Sequence, residues 1–361
     1  MKTRRKLFFW KLIEREGAVR YLMISLFSFV ATIGVVRTFL ALTGYPQIGS
    51  GTLHIAHVLW GGLILYIAAI LPLIYMNPRL HYLGAVLAGV GMGLFLDEVG
   101  KFITRQYDYF FPAAAPIMYV FFLLIIVLAI MIRRPEAVDG RTELVKTLEI
   151  VREQLYRPLD TVEREHVEAD LNRVLETDKD SLHQDLARRL LDIIRSDTRT
   201  APVEEPVWWR RFITKVEAWL TEVRLLWLIG AGMVLLGFMT LKNPLQVWLG
   251  LALPDSTILN FFNAHFGRQI SPVDAPSLYG TRLILEVVVG LLLFVSAILL
   301  AMGKKRPAIN LGYLSLLISL TVLDMLLFYF EQFSTVFIVL VQFLVLFGII
   351  FYRRRYLQIN T

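Results

Sequence analysis

Long apolar runs separated by short polar breaks make up most of the chain. Eight of these runs reach the length of about 20 residues that an α-helix needs to cross a hydrocarbon core. Breaks that contain glycine or proline, such as Gly44-Tyr45-Pro46 and Asn77-Pro78, indicate turns between helices. The predicted spans cover about 21–43, 53–76, 81–104, a fourth segment that ends at 133–134, 223–241, 279–302, 308–330 and 334–352. The pattern predicts an all-α membrane protein with about eight transmembrane helices.

Residues 135–206 follow a different pattern. Charges of both signs are dense there, and aliphatic residues recur at helical spacing. The recurring positions are Leu144, Leu148, Val151 and Leu155, and then Leu182, Leu186, Leu190 and Ile193. Asp160-Thr161 and Asp180-Ser181 supply residue types that cap helix N-termini. We therefore predict a small helical domain at 135–206, inserted between two four-span membrane halves, 1–134 and 207–361.

The two predicted halves share landmarks. Gly62–Ile70 parallels Gly290–Ile298, and Leu96-Asp97 parallels Leu323-Asp324. Because four spans are an even number, such copies point the same way, as in a parallel repeat about an axis along the membrane normal. Leucine-rich spans also resemble one another by chance, so the repeat is a hypothesis with that alternative.

Composition supports the membrane assignment. Hydrophobic residues make up 56% of the 361 positions, and the mean hydropathy is +0.59. Soluble globular proteins contain about 45–50% apolar residues. The net charge of +7 does not indicate nucleic-acid binding, since the basic residues cluster beside the apolar runs, where membrane edges place them. The chain has no cysteine, which excludes disulfides and thiolate metal sites.

Lysine and arginine are unevenly distributed over the ends of the predicted spans. One set of ends carries nearly all of the basic clusters. These clusters are the N-terminal segment 1–20, Arg79, Arg133-Arg134, Lys304–Arg306 and Arg353–Arg355. Since cytoplasmic loops carry the excess of lysine and arginine, both termini and the helical domain are predicted to be cytoplasmic. The long loop after the fifth span would then face outward.

The third span combines small residues with charges. Five residues follow one another at four-residue intervals, and therefore lie on one face of a continuous helix. They are Ala85, Gly89, Gly93, Asp97 and Lys101. Small residues let helix backbones approach closely in lipid, and ionisable residues are costly there. We expect this helix to bury its charges against neighbouring helices.

Ionisable residues also occur in other spans, and with the predicted orientation nearly all of them fall in the outer half of the membrane. Besides Asp97, Glu98 and Lys101, they are Arg37, Arg282, Glu286, Asp324 and Glu331. This one-sided distribution predicts an outward-facing intramembrane pocket for a small ligand, an ion or a lipid headgroup, and hence a binding or transport function. The alternative is that acids and bases four residues apart, such as Arg282 and Glu286, only neutralise each other.

The same residues allow a catalytic hypothesis. Asp97 or Glu98 would act as the general base. Lys101 or Arg37 would hold an anionic group such as a lipid phosphate or carboxylate. The chain contains no nucleophile elbow, no glycine-rich phosphate loop and no zinc-protease helix motif.

Two histidines extend the catalytic hypothesis to a metal-dependent site. If the second span begins at Leu53, His54 and His57 lie on one helix face, and imidazoles are common zinc ligands. A catalytic site needs a third ligand, for which the candidates are Asp97, Glu98, Asp108 and His265. With a divalent metal as cofactor, the protein would be an intramembrane hydrolase or transferase acting on lipids. The simpler alternative is that both histidines form hydrogen bonds at the membrane interface.

Phe95–Phe102 reads Phe-Leu-Asp-Glu-Val-Gly-Lys-Phe, with Tyr107–Phe111 after it and Trp60-Gly61-Gly62 before it. This combination resembles a segment of uncharacterised bacterial multi-pass membrane proteins, over about spans two to four. The resemblance implies a bacterial plasma (inner) membrane and no particular activity.

The predicted helical domain supplies a third functional hypothesis. It contains no kinase, nucleotide-binding or DNA-binding motif, so a function there requires a cytoplasmic protein partner. The protein would then be a membrane scaffold or sensor. On every hypothesis the chain contacts the lipid bilayer and does not bind nucleic acid.

Overall fold

Helices dominate the structure. In this computed structural model the described residues are 13–15, 17–44, 49–50, 53–54, 57–105, 111–132, 140–154, 158–197, 215, 219–252 and 276–357. Among them, the only strands are β1 (Gly49–Ser50) and β2 (Leu53–His54), which pair antiparallel. The all-helical class predicted from the sequence is confirmed.

Thirteen α-helices occur in the described part of the chain. They are α1 (Ala18–Thr43), α2 (His57–Ile74), α3 (Pro78–Asp97), α4 (Val99–Ile103), α5 (Ala114–Ile132), α6 (Gly140–Gln154), α7 (Thr161–Thr177), α8 (Ser181–Ser196), α9 (Glu222–Ala252), α10 (Pro276–Ala301), α11 (Lys305–Ile318), α12 (Asp324–Glu331) and α13 (Val336–Tyr352). A π-helical turn, Ser319–Leu323, joins α11 to α12, and a 3-10 turn, Gln332–Thr335, joins α12 to α13.

Seven helical segments among the described residues are long and apolar enough to cross a membrane. Six of them are α1, α2, α3, α5, α9 and α10, and the seventh runs from Lys305 to Leu357. Their outward surfaces carry large apolar side chains, such as the exposed Leu73 and Leu251. A soluble protein does not expose apolar surface on this scale. The chain is therefore a polytopic membrane protein, as the sequence predicts.

The seventh segment turns back on itself. As one straight helix its 53 residues would extend about 80 Å, whereas a hydrocarbon core is about 30 Å thick. Gln332 has a left-handed φ of 49°. Gln342 Nε2 donates to Asp324 Oδ1 at 3.1 Å although the two residues are 18 apart, which requires the helix direction to reverse between them. The two resulting arms correspond to the predicted spans seven and eight.

The described residues form two compact units. The first unit combines Met1–Phe95 with Leu124–Trp209, and the second unit combines Leu96–Leu123 with Arg210–Thr361. This division cuts through α3 and α5, and the predicted domain boundaries at 134 and 206 stay predictions. The predicted repeat of two four-span halves stays a prediction.

In the first unit, glycines allow three helix backbones to approach closely. A Cβ on Gly61 of α2 would lie 2.8 Å from the carbonyl oxygen of Gly91 in α3, and a Cβ on Gly91 would lie 2.9 Å from that of Gly61. On another side of α3, a Cβ on Gly89 would collide with the carbonyl oxygen of Ser25 in α1. These approaches confirm that the small residues of the third span form packing surfaces.

The continuous helix expected through Lys101 is interrupted. α3 ends at Asp97, and Glu98 has φ −95° and ψ 6°, which ends the α-helical hydrogen-bond pattern before α4 begins at Val99. Lys101 Nζ lies 2.6 Å from Glu98 Oε1. The prediction that Asp97 and Lys101 share one uninterrupted helix face is therefore wrong, and Lys101 forms an ion pair with Glu98.

α6, α7 and α8 pack around a small apolar core of their own. Asp160 caps α7, since its carboxylate accepts from Glu163 N at 2.8 Å while the Glu163 carboxylate accepts from Asp160 N at 3.1 Å. Asp180 caps α8 and accepts from Leu182 N at 2.9 Å. Both capping positions were predicted from the sequence.

The buried face of α8 differs from the predicted one. Leu182 and Ile193 are exposed, although both belong to the predicted apolar stripe. The buried residues are Ala187, Leu190, Leu191 and Ile194. The stripe is displaced because α8 packs against α6 and α7 through this neighbouring set of positions.

The second unit is a bundle built around α9, α10, α11 and α13. Each of these helices contributes residues that are fully buried in one apolar core. Examples are Met233, Val289, Leu316 and Ile349. This bundle holds the two polar clusters from which a function can be argued.

Candidate functional site

A cavity of about 300 Å³ lies in the second unit and is lined by α9, α10, α12 and α13. Its apolar lining includes Leu235, Phe238, Leu327 and Ile338. Its polar lining includes Lys242, Asn243, Arg282, Glu286 and Glu331. The cavity is thus amphipathic, and its volume is within the range of small-molecule sites.

Arg282 is the centre of the polar lining. Its Nε donates to Glu286 Oε1 at 2.9 Å, and its Nη2 donates to Glu331 Oε1. Glu286 Oε2 also accepts from Asn243 Nδ2 at 3.1 Å. Arg282 and Glu286 are both buried. The Arg282–Glu286 pair therefore connects α9, α10 and α12.

Local sequence explains how two members of this network meet. Arg282 and Glu286 are four residues apart on α10, so their side chains share a helix face. Glu331 is the last residue of α12 and lies directly before the reversal at Gln332, which brings it to the same end of the bundle.

The α9 wall of the cavity contains an irregular position. Asn243 directly precedes Pro244, which lies inside the helix. Proline has no N–H, so Pro244 cannot donate to the carbonyl of Thr240, one turn earlier, and helices bend at such positions. Thr240 also lines the cavity.

One N–H donor of Arg282 has no hydrogen-bond acceptor among the described residues. Nη1 is buried and makes no hydrogen bond to them, while a guanidinium keeps its charge in proteins. An unsatisfied buried donor costs about 1–3 kcal/mol. Lys242 lines the same cavity and forms no ion pair with the described residues. Two positively charged side chains in the lining therefore have N–H groups without an acceptor in the described part of the chain.

The cavity and another charged cluster lie at opposite ends of the second unit. At the start of α9, Glu222 Oε1 accepts from Lys305 Nζ at 2.8 Å and from the Tyr352 hydroxyl at 3.0 Å. The distance along α9 from Glu222 to Asn243 is about 30 Å at 1.5 Å per residue, which matches the thickness of a hydrocarbon core. The cavity and the Glu222 cluster are therefore separated along α9 by about the thickness of a hydrocarbon core.

Asp324 belongs to a separate buried cluster in the same unit. Its Oδ1 accepts from Gln342 Nε2 at 3.1 Å, and the Tyr119 hydroxyl lies 3.4 Å from Oδ2. Asp324 is fully buried and is not among the residues that line the cavity. The structure thus brings Arg282 and Glu286 together, as predicted, but does not place Asp324 with them.

The predicted catalytic residues are not part of the cavity lining. Asp97 and Glu98 are buried, and Lys101 forms its ion pair with Glu98. Arg37 is on α1 and belongs to the first unit. A catalytic role for these residues stays a prediction.

The two predicted metal-binding histidines do not share a helix face. His54 is in β2, whereas His57 is the first residue of α2, because the helix begins later than the apolar pattern suggested. That part of the prediction is wrong. Within the described residues, no three His, Cys, Asp or Glu side chains gather as a metal site. Asp108, His265 and the side chain of His54 lie outside the described residues, so the divalent metal stays a prediction.

Sequence reasoning missed Asn243, Tyr119 and Gln342 as members of these clusters. Gln342 is the single amide in the otherwise apolar run of α13. Tyr119 is the single hydroxyl residue of α5, and Asn243 stands before a proline inside a span. Each is a polar group in an apolar run, which is the pattern that indicates a buried polar contact.

Comparisons with known proteins do not decide the function. No family model, no curated protein and no solved structure matches the chain.

Proposed function

We propose that the chain is a membrane-embedded binding protein of the transport type, whose cavity holds an amphipathic ligand with an anionic, oxygen-rich head. The observation that carries the proposal is the buried Arg282 side chain, whose Nη1 has no acceptor among the described residues. A ligand oxygen would accept from Nη1, and the Lys242 ammonium would share the negative charge. Phosphates and carboxylates of lipids have this chemistry, and the apolar lining suits their alkyl part.

The charges of the lining favour an anion over a cation. Glu286 and Glu331 are both engaged with Arg282. Lys242 is therefore the charged group of the cavity that has no local counterion among the described residues. A ligand head that carries negative charge complements this lysine without breaking the existing ion pairs.

Helix irregularities around the cavity support transport over static binding. Pro244 interrupts the hydrogen-bond ladder of α9, and α12 is a short helix between a π-helical and a 3-10 turn. Interrupted helices at the substrate site are a recurrent feature of transporters.

We also propose that the cavity is close to the outer boundary of a bacterial plasma membrane. The opposite end of the second unit carries Lys304–Arg306 and Arg353–Arg355. Cytoplasmic ends carry the excess of lysine and arginine. In this orientation both termini and the segment that contains α6–α8 are cytoplasmic.

Binding of decyl phosphate to the purified full chain in maltoside micelles tests this function. We expect saturable binding by isothermal titration calorimetry. Lys242→Gln should weaken it by about tenfold or more, because a hydrogen bond to a charged group contributes about 1.5–3 kcal/mol. Lys242 is partly exposed and has no ion pair among the described residues, so the variant is expected to fold.

Two controls make this test specific. Lys304→Gln makes the same change near the opposite end of the bundle and should leave binding unchanged. Decyltrimethylammonium has the same chain length with a cationic head and should not compete. Equal binding of both amphiphiles, or equal affinity in wild type and Lys242→Gln, would refute an anion site in this cavity.

A further inference from the structure

Asp324 lies in the interior of the bundle, where the π-helical turn Ser319–Leu323 meets α12. Gln342 Nε2 donates to Oδ1 at 3.1 Å. The Tyr119 hydroxyl lies 3.4 Å from Oδ2, but it has a single hydrogen, and its shorter contact is to the carbonyl oxygen of Leu320 at 2.7 Å. Among the described residues, the carboxylate therefore receives one hydrogen bond of good geometry, from an uncharged amide, and weaker interactions from two hydroxyl groups.

No positive side chain among the described residues neutralises this carboxylate. The side chains that act on it are those of Gln342, Tyr119 and Ser319, none of which is cationic. A charged residue inside a span is energetically costly even when it is partly accommodated. The buried Glu286, in contrast, has Arg282 as its counterion.

Two further oxygen atoms of this cluster make no hydrogen bond of good geometry with the described residues, although the Ser319 side chain is close enough to act on the Asp324 carboxylate. The two atoms are Gln342 Oε1 and Ser319 Oγ, on residues that are only 2% and 1% exposed. Ser319 is five residues before Asp324, which is one π-helical turn, and the backbone N–H of Asp324 donates to the Ser319 carbonyl. A carboxylate and these two oxygen atoms thus occur together without a positive centre among the described residues.

We propose that the cluster of Asp324, Ser319 and Gln342 binds a sodium ion. Hard cations take carboxylate, amide and hydroxyl oxygens as ligands. One carboxylate balances one positive charge, so a monovalent ion leaves the site neutral. A proton would also neutralise Asp324. A proton, however, is shared between only two oxygen atoms, whereas a metal ion can contact all the oxygen atoms of the cluster.

The helix α12 connects this site with the cavity. Asp324 is its first residue and Glu331 its last, so the two acids lie on one helix face, about 10 Å apart. Glu331 holds Arg282 through an ion pair. Sodium binding is therefore placed to act on the helix that carries a wall of the cavity, although the sodium site depends on none of the contacts used for the proposed function.

The test uses the purified full chain in dodecyl maltoside, with NaCl replacing choline chloride at constant ionic strength. Sodium should raise the midpoint of thermal unfolding until it saturates, because a ligand that binds only the folded state stabilises it. Equilibrium dialysis with radiolabelled sodium should find one ion per chain. Asp324→Asn keeps the shape and removes the charge, and should raise the half-saturating sodium concentration by about tenfold or more.

Asp97→Asn is the matched control, since Asp97 is also fully buried, and it should keep the sodium response. If Asp324→Asn does not fold, Gln342→Met carries the test, because it keeps the carboxylate and removes one proposed ligand. Equal sodium binding in wild type and in these site variants overturns the proposal. So does a sodium response that Asp97→Asn abolishes to the same extent, or a stability that changes with pH and not with sodium.

Discussion

Two arginines of this protein each hold a pair of carboxylates, one in the membrane bundle and one in the segment that contains α6–α8. The pairs are Glu286 and Glu331 around Arg282, and Glu143 and Asp170 around Arg173. The side chain of Arg282 is 1% exposed, whereas that of Arg173 is 50% exposed. A similar set of charged groups is therefore buried in the Arg282 cluster and half exposed to water in the Arg173 cluster.

The two clusters leave different atoms without a partner. Around Arg173 the atom is an acceptor, Glu143 Oε2, and around Arg282 it is a donor, Nη1. Burial raises the pKa of Glu143, although the nearby Arg173 opposes this shift. Binding of a proton removes the buried negative charge of Glu143. Arginine cannot lose its proton. Protonation can therefore relieve the Arg173 cluster, whereas Arg282 Nη1 requires an acceptor from outside the described residues, which on the proposed function is the ligand.

Arg282→Met should have the largest effect. It leaves the buried Glu286 without its counterion, and removing one partner of a buried ion pair costs about 3–5 kcal/mol. We expect a loss of this size in the free energy of unfolding. Denaturant titration in detergent micelles, followed by helical ellipticity, measures it.

Two variants show whether burial is the cause. Arg282→Met combined with Glu286→Met removes both charges and should recover part of the loss. Arg173→Met makes the same single change at the half-exposed cluster and should cost about 1 kcal/mol or less. Equal losses at Arg282 and Arg173 would contradict the comparison.

The sequence predicted those parts of the sites that depend on local spacing. Asp160 and Asp180 cap their helices because a cap requires only the neighbouring backbone. Arg282 and Glu286 meet because they are four residues apart on one helix. The apolar runs likewise predicted the membrane segments, since length and hydropathy alone determine whether a helix can cross a membrane.

Contacts between helices could not be predicted in the same way. Asn243 reaches Glu286 only because α9 packs against α10, and Glu331 reaches Arg282 only because the chain reverses at Gln332. The turn at Glu98 and the π-helical turn before Asp324 also have no residue pattern that specifies them. These features depend on tertiary packing, which overrides local helix propensity.

The pH dependence of the α6–α8 segment is expected to be a milder test. Because burial raises the pKa of Glu143, its contribution to stability is fully present below about pH 4 and is lost as pH rises through the raised value. Glu143→Gln exchanges no proton, so this slope should disappear. Hydrogen exchange of the α6 and α7 amides in the full chain, corrected for intrinsic rates, measures it.

Asp178 supplies a control of opposite sign. Hydrogen bonds from the backbone N–H of Asp180 and from the His183 ring lower the pKa of Asp178. Its contribution is therefore present above about pH 4 and is lost as pH falls through the lowered value. Asp178→Asn should flatten only the acidic side of the profile. If stability depends on pH in Glu143→Gln as it does in wild type, the buried Glu143 carboxyl group is not the source of that pH dependence.

The smallest effect is expected at Arg189 and Asp185 on α8. Their Nε–Oδ2 distance is 2.9 Å at a spacing of four residues, the same distance and spacing as for Arg282 and Glu286, but their side chains are 74% and 60% exposed. Exposed pairs at this spacing contribute about 0.3–0.5 kcal/mol, since water and salt screen them. Arg189→Gln should lower the opening free energy of α8 in hydrogen exchange by no more than about 0.5 kcal/mol. Because spacing and distance are equal, a loss of about 2 kcal/mol or more at Arg189 would mean that geometry rather than burial sets the cost. The buried Arg282–Glu286 pair would then not differ in energy from an exposed helix ion pair. There would be no reason to expect a ligand at Arg282.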